Sequence, residues 1–382
     1  SNTAMGHESH FTNTTGYYNV ASGYQALYTN TTGASNTAVG RTALRSNTAA
    51  DYNTAVGSSA LYYNTTGASL VAIGAGALYK NTTATGNTAT GYHALYENTT
   101  GTYSSAFGNN ALQTNTTGYI NTAIGTYALY SNTTGSYNSA FGNNALQTNT
   151  TASNNTATGY RSLYANTTGA SNTAAGMHAL RFTTTGNQNT AVGYGALEDN
   201  TTASYNTAGG VSALEKNTTG QKNTAIGWEA LKANTTGINN TGLGYGSSGS
   251  SATVSNEITL GNSSVSTLRC QVQSISSLSD RRDKKDIKEL PVGLDFINDL
   301  KPVKFVWDMR DGAKKGIQEI GFVAQDLDES QINAGAEDYL NLVLKNNPDK
   351  LEASYGKLVP ILVKAVQELS AEVNHLKEKL NT

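Results

Sequence analysis

Ser279 and Lys284 stand five residues apart in a densely charged run, Ser279-Asp280-Arg281-Arg282-Asp283-Lys284-Lys285-Asp286. A serine hydroxyl is a weak nucleophile and needs an adjacent base. A lysine amine can be that base only when neutral, which takes burial or a cationic neighbour. Arg282 and Lys285 flank Lys284 and can serve as such neighbours. Without further context the same run reads as a solvated helix start, with Ser279 or Asp280 as N-cap. Both readings stand at this point.

No other group of reactive side chains competes with this one. The histidines His7, His10, His93, His178 and His375 lack metal-ligand spacing and read as surface residues, so no metal and no cofactor is expected. Carboxylates in the first 250 residues (Glu8, Asp51, Glu97, Glu198, Asp199, Glu215, Glu229) are scattered. They form no recurrent acidic pair of the kind glycoside hydrolysis uses. Cys270 is the single cysteine, so no intrachain disulfide can form, and it reads as a small buried hydrophobe. Asn-Thr-Thr recurs as a formal glycosylation acceptor, but a turn with stacked asparagines is the preferred reading.

The elements that must carry the charged run come from two very different sequences. Residues 1–250 hold fifteen charged side chains and residues 251–382 hold thirty-seven. The boundary falls in Gly-Tyr-Gly-Ser-Ser-Gly-Ser-Ser at Gly244–Ser251. Net charge is -2, which gives no pull toward nucleic acid or anionic membrane. No apolar run reaches membrane-spanning length, and no signal peptide is visible. The chain begins at Ser1 inside a repeat without a methionine, and so reads as a piece of something longer.

The first part repeats Asn-Thr-Ala-x-Gly-x-x-Ala-Leu-x-x-Asn-Thr-Thr-Gly-x-x, its central glycine recurring every seventeen residues, fifteen times, from Gly6 to Gly244. A fixed period means one unit stacked on copies of itself, and it argues against disorder despite the amide-rich composition. Seventeen residues are too few for a helical hairpin but suit one turn of a β-solenoid with two short strands and two turns. Each unit has Ala two before the glycine, a mostly apolar residue just before it, then Ala and Leu. In strands these adjacent pairs point to opposite faces. One face then fills the coil, and the other needs a second apolar surface, most simply another copy of the chain. Tyrosines five after the glycine (Tyr28, Tyr62, Tyr79, Tyr96, Tyr130, Tyr164) cover the coil edge or, less simply, stack on sugars. Stacked threonines suggest ice binding only weakly, because neighbouring threonines face opposite ways.

Residues 252–278 alternate Ser/Thr with β-branched residues and read as short strands continuing the rod. The end is helical. Val359, Leu362, Val366, Leu369, Val373, Leu376 and Leu380 form a heptad seam, whose Val/Leu choice alone favours two strands.

Asn-Thr-Ala-x-Gly resembles the head repeats of trimeric autotransporter adhesins, which form trimeric parallel β-rolls with usually shorter units. Three further motifs, Ser279–Lys284, Gly321–Asp326 (Gly-Phe-Val-Ala-Gln-Asp) and Tyr355–Leu369, resemble the C-terminal intramolecular chaperone of phage tail spikes and fibres. That resemblance spans about residues 275–382. It implies a trimer that cleaves itself before the motif serine, between Leu278 and Ser279. Ser279 and Lys284 would be the catalytic dyad, with Asp280 and Arg282 as supporting motif residues. The expected fold is mainly β. Residues 1–250 form a parallel β-solenoid or β-roll shaft, 251–278 a β connector, and 279–382 a small α+β chaperone ending in a coiled-coil helix. The expected function is a homotrimeric phage tail fibre in the virion that attaches to a host-surface glycan or protein receptor. A bacterial secreted or cell-surface adhesin with the same chaperone is the alternative, and a glycan depolymerase is a more distant one. The only enzymatic activity expected is the single self-cleavage.

Overall fold

The computed structural model describes residues 1–265, 267–269, 279–310, 314–349 and 351–381. Leu278 and Cys270 lie outside the described residues. The chain divides into two compact units, Ser1–Asn262 and Ser263–Thr382.

The first unit is a parallel β-solenoid of stacked seventeen-residue coils. Its sixteen strands, β1 (Thr3–Met5) to β16 (Ile258–Leu260), hydrogen-bond in chain order. The register never slips: Thr37, Ala38 and Val39 pair with Thr54, Ala55 and Val56 in the next coil. β16 carries the stack into the segment after Gly244, while residues 261–265 and 267–269 hold no strand.

Each coil has one three-residue strand, where two short strands were expected. The Ala-Leu segment is instead a run of turns with left-handed backbone at Gln25 (φ 52°) and Leu27 (φ 51°), repeated coil after coil. A left-handed residue costs roughly 1–2 kcal/mol. The conformation is held because the amides it turns find partners in both directions. Gln25 N–H donates to His7 O in the preceding coil and Leu27 N–H to Ala43 O in the following one, both at 3.0 Å. Burial of the leucine, worth about 1.5–3 kcal/mol, offsets the strain. The broken alternation also corrects the packing expected from extended strands. Ala26 and Leu27, although adjacent, are both fully buried, and one apolar column fills the coil from Ala21 to Leu231. The outward column is the residue before the glycine.

The central glycine is required twice over. At Gly23 φ is +140°, and a Cβ there would lie 2.4 Å from Gly40 O in the neighbouring coil. The coils touch at this point, leaving no room for a side chain.

Two asparagine ladders line the interior. In one, Asn115 Nδ2 donates to Asn98 Oδ1 and to Gly118 O, both at 2.8 Å, while its own Oδ1 accepts from Asn132 Nδ2 at 2.8 Å. In the other, Asn36 N–H donates to Asn19 Oδ1 at 2.9 Å and Asn36 Nδ2 to Ala50 O at 2.8 Å. Asn30, Asn36 and Asn115 are completely buried. Stacking thus satisfies amides that would otherwise be costly to bury, and it closes the Asn-Thr-Thr asparagines of the first ladder, such as Asn30 and Asn115, to glycosylation in the folded rod. The first threonine of each turn is also spent, as Thr31 Oγ1 donates to Thr48 O at 3.0 Å. In the tyrosine column Tyr62, Tyr79 and Tyr96 stack on one another. Tyr79 and Tyr96 lie 4.8 Å apart at 7°, and Arg45 sits 5.3 Å from the Tyr28 ring and 5.6 Å from that of Tyr62. Along Tyr62, Tyr79 and Tyr96 the ring faces a sugar would need are occupied by neighbouring coils.

The second unit is built around Val292, Phe296, Ala336, Leu340, Leu342, Leu358 and Ile361. Its elements are α1 (Leu294–Asp299), an antiparallel pair β17 (Val303–Asp308) and β18 (Lys315–Gly321), α2 (Ala324–Asn333), α3 (Glu337–Leu340), the short pair β19 (Val343–Leu344) and β20 (Glu352–Ala353), and α4 (Leu358–Leu380). Helix α4 buries Leu358, Ile361 and Ala365 against its own unit. The heptad seam lies on another face, and all seven of its residues are at least 40% exposed. Among the described residues no helix is long and apolar enough to cross a membrane.

Loss of a ladder amide should be felt across three coils. Asn115→Ala leaves Asn98 Oδ1 without its donor and takes from Asn132 Nδ2 one of its two acceptors, the other being Gly135 O at 2.9 Å. It should destabilise the surrounding coils by about 1–3 kcal/mol. Leu129→Ala should cost about 2–5 kcal/mol, whereas Thr117→Ala on the outside should stay within about 0.5 kcal/mol. Amide hydrogen exchange resolved by coil measures all three.

Candidate functional site

Asp280 sets the geometry of the charged run. Its carboxylate accepts the Arg282 backbone N–H at 2.9 Å and caps a 3-10 turn over Arg281–Asp283. Lys284 N–H then donates to Arg281 O at 3.2 Å and closes the reversal. Ser279 and Lys284 are extended arms on either side of this turn. Their side chains meet, with Lys284 Nζ donating to Ser279 Oγ at 2.6 Å. The capped-turn reading and the dyad reading are therefore compatible, because the cap builds the contact.

Arg282 does a different job from the one its sequence position suggests. Its guanidinium grips the Asp280 carboxylate, with Nη2 2.6 Å from Oδ2 and Nε 3.1 Å from both oxygens. The Arg282 hydrogen bonds hold the Asp280 carboxyl below the usual carboxylate range, and Asp280 raises the guanidinium in turn. Most of the positive charge Arg282 could offer to Lys284 is answered by this pairing. Lys285 remains a cationic neighbour. Ser279, Asp280, Arg282, Lys284 and Lys285 are all exposed in the single chain. The contact for proton transfer exists, but the ammonium donates in it. A base must accept, which needs the neutral amine and exclusion of water.

The segment beyond the turn is tied to α4. Lys364 bonds the Glu289 carboxylate, which holds that carboxyl down and raises the lysine. Glu368 Oε2 accepts the Leu294 N–H at 2.6 Å at the start of α1. A Cβ on Gly293 would lie 2.1 Å from the same carboxylate oxygen, so glycine is what lets Glu368 reach it. Sequence spacing gave no sign of this clasp, since its partners lie 75 and 74 residues apart.

The other two motifs meet each other and not the dyad. Phe322 N–H donates to Tyr355 Oη at 3.1 Å, and the two rings pack edge-on at 5.6 Å. They border a cavity of about 670 Å³ with Phe305, Trp307, Arg310 and Leu351. Among the described residues no hydrogen bond or ion pair joins this corner to Ser279 or Lys284. Its role is to fix β18 and α2 onto the start of α4. Among the described residues no cluster of His, Cys, Asp or Glu is arranged to hold a metal ion.

A Cβ on Gly321 would lie 3.0 Å from Tyr355 Oη and 3.4 Å from Phe305 Cε1. Gly321→Ala should therefore destabilise the second unit by about 1–3 kcal/mol. Tyr355→Phe should cost about 1 kcal/mol for its hydrogen bond. It also removes the clashing oxygen, so the double variant should be less destabilised than the sum of the two. Denaturant unfolding followed by Trp307 fluorescence measures the cycle, and strict additivity would show that Gly321 and Tyr355 do not constrain each other.

Residues 279–336 match the family model described as chaperone of endosialidase. The match begins at Ser279 and takes in the turn, the clasp at Glu289 and Gly293, and the Gly321–Asp326 motif. It ends before Tyr355. No curated protein and no solved structure matches the chain.

Proposed function

We propose that this chain is part of a trimeric phage tail fibre that contacts the host surface. In this reading the second unit assembles and registers the trimer and then cuts itself off between Leu278 and Ser279. The observation that carries the reading is the 2.6 Å contact between Lys284 Nζ and Ser279 Oγ, inside the segment that matches the endosialidase chaperone model. The solenoid supports a fibre role because it is long, uniform and without a catalytic cluster. A glycan or protein of the host surface is the receptor expected, with the fibre carried on the virion.

The cut can be written with the chain's own groups. Neutral Lys284 takes the Ser279 hydroxyl proton as Oγ attacks the carbonyl carbon of Leu278. The Leu278–Ser279 amide bond breaks, the proton passes to the departing amine of Ser279, and the Leu278 acyl group rests on Oγ as an ester. Water then hydrolyses the ester, so the net change is the addition of one water. The step waits for desolvation of Lys284. The single chain leaves Lys284 in solvent, so the neighbouring copies must cover it. The unpaired seam of α4 supplies the means, and the Lys364–Glu289 pair ties that helix to the chain five residues beyond Lys284.

Expression of the full chain should give, on a denaturing gel, a fragment of roughly one quarter of the 40.0 kDa mass. Ser279→Ala and Lys284→Arg should give none. An intact wild-type band in a population of trimeric mass would sink self-cleavage and leave assembly standing. Leu369→Glu, which puts a charge in the exposed seam, should abolish the trimer and the fragment together. A fragment from that variant as a monomer would show that cutting does not depend on assembly.

A further inference from the structure

The outer face of the solenoid sheet carries an apolar column that stays exposed among the described residues. Val39, Val56, Ile73, Phe107, Ile124 and Phe141, each just before a central glycine, are 37–41% exposed. The column resumes from Val192 to Leu243. These residues alternate with the buried alanines of the strands, and the other outward column of the same strands is nearly all threonine, serine and valine. The absence of charge from this face is the second observation. All fifteen charged residues of 1–250 fall outside the strands. A sheet face left in water ordinarily carries lysine and glutamate, and an exposed flat one is an aggregation hazard without them. Depletion of charge around an apolar centre is instead the composition of a protein interface.

We infer that this face is where copies of the rod meet, strand face to strand face and coil against the same coil. The size fits. Its nine large side chains expose on the order of 700 Å² per copy, against ~800 Å² per partner in a standard interface and ~300–600 Å² for the largest patch of a typical monomer. The shape fits as well. The column repeats at the coil spacing of ~4.8 Å over fifteen coils, and a second copy carries the same period along its whole length. The number of copies rests on the trimeric reading above; the choice of face does not.

In full-length protein carrying Cys270→Ser, a cysteine placed on the strand face should join copies through a short bis-maleimide, because parallel in-register copies bring equal residue numbers together. Val56→Cys and Phe107→Cys should each give crosslinked multimers, and Thr117→Cys, exposed in the turn, should not. Chains bearing Val56→Cys coexpressed with chains bearing Phe141→Cys should give no mixed product, since the two lie five coils or ~24 Å apart. Crosslinking at Thr117 but not at Val56 or Phe107, or at all three alike, overturns the inference. So does a trimeric mass with no crosslink at either strand position, although it leaves the trimer intact. Mixed product overturns the register. A monomeric mass removes both the trimeric reading and the shared face.

Discussion

Everything in the rod depends on the hydrogen-bonded contact between each residue and the one seventeen places on. The contact brings glycine so close to glycine that no Cβ fits between them. It also gives most buried asparagines an identical amide above and below. An interior made of alanine, leucine and asparagine could not form from one coil alone, because the asparagine side chains would be buried without partners. Stacking turns that liability into a continuous chain of donors and acceptors. The apolar core is thin, with one leucine and two alanines per coil, so much of the specificity of the fold lies in these polar columns.

The same rule governs charge. In-register stacking places like beside like, and equal charges in one column repel. The few charges of the rod obey this by changing sign between adjacent coils. Lys80 pairs with Glu97 at 2.6 Å, Arg181 with Glu198 at 3.1 Å and Lys232 with Glu215 at 3.5 Å. Glu198 and Glu215 are the exception, and each is paired outward with a cation. Beside them the Asp199 carboxyl is pushed up by burial and by those two neighbours. Tyrosine meets no such conflict, since rings stack on their own kind, which is why it and not lysine fills so much of the outer edge.

The period and the coil architecture were legible in the sequence because stacking leaves its spacing directly on the chain. The number of strands was not. Ala26-Leu27 reads as alternating in any extended strand, and only the left-handed backbone at Leu27 brings both inside. β-branched residues resist that conformation, and leucine, branched one carbon further out, holds this slot from Leu27 to Leu231. The candidate dyad was legible as a pair of residues, and the turn that joins them was legible as an N-cap. What the sequence could not supply was that Asp280 makes the two readings one. Nor could it show that Arg282 spends its charge on Asp280, or that Glu289 and Gly293 are held by α4. Those contacts join residues whose separation carries no period.

Where the ladders break, the rod shows how much irregularity the contact tolerates. Thr183 stands in an asparagine column; Asn200 Nδ2 still reaches its hydroxyl at 3.2 Å, but Asn166 Oδ1 is left buried without a donor. Leu70 replaces another asparagine and its side chain accepts nothing, yet its N–H keeps the bond to Asn53 Oδ1 at 3.0 Å. Such breaks alter one coil and leave the stack in register, because backbone bonds on either side persist. Within one chain, covalent order already fixes which coil follows which. Between the copies of the proposed assembly nothing of the kind exists, and a shift by one coil places nearly the same surface against itself. A uniform rod is thus stable in its own stacking and weakly specified in its pairing. Near-identical coils cannot supply that missing information, so it has to come from an irregular structure elsewhere in the chain. The second unit, with its aperiodic core and its exposed helical seam, has the properties required.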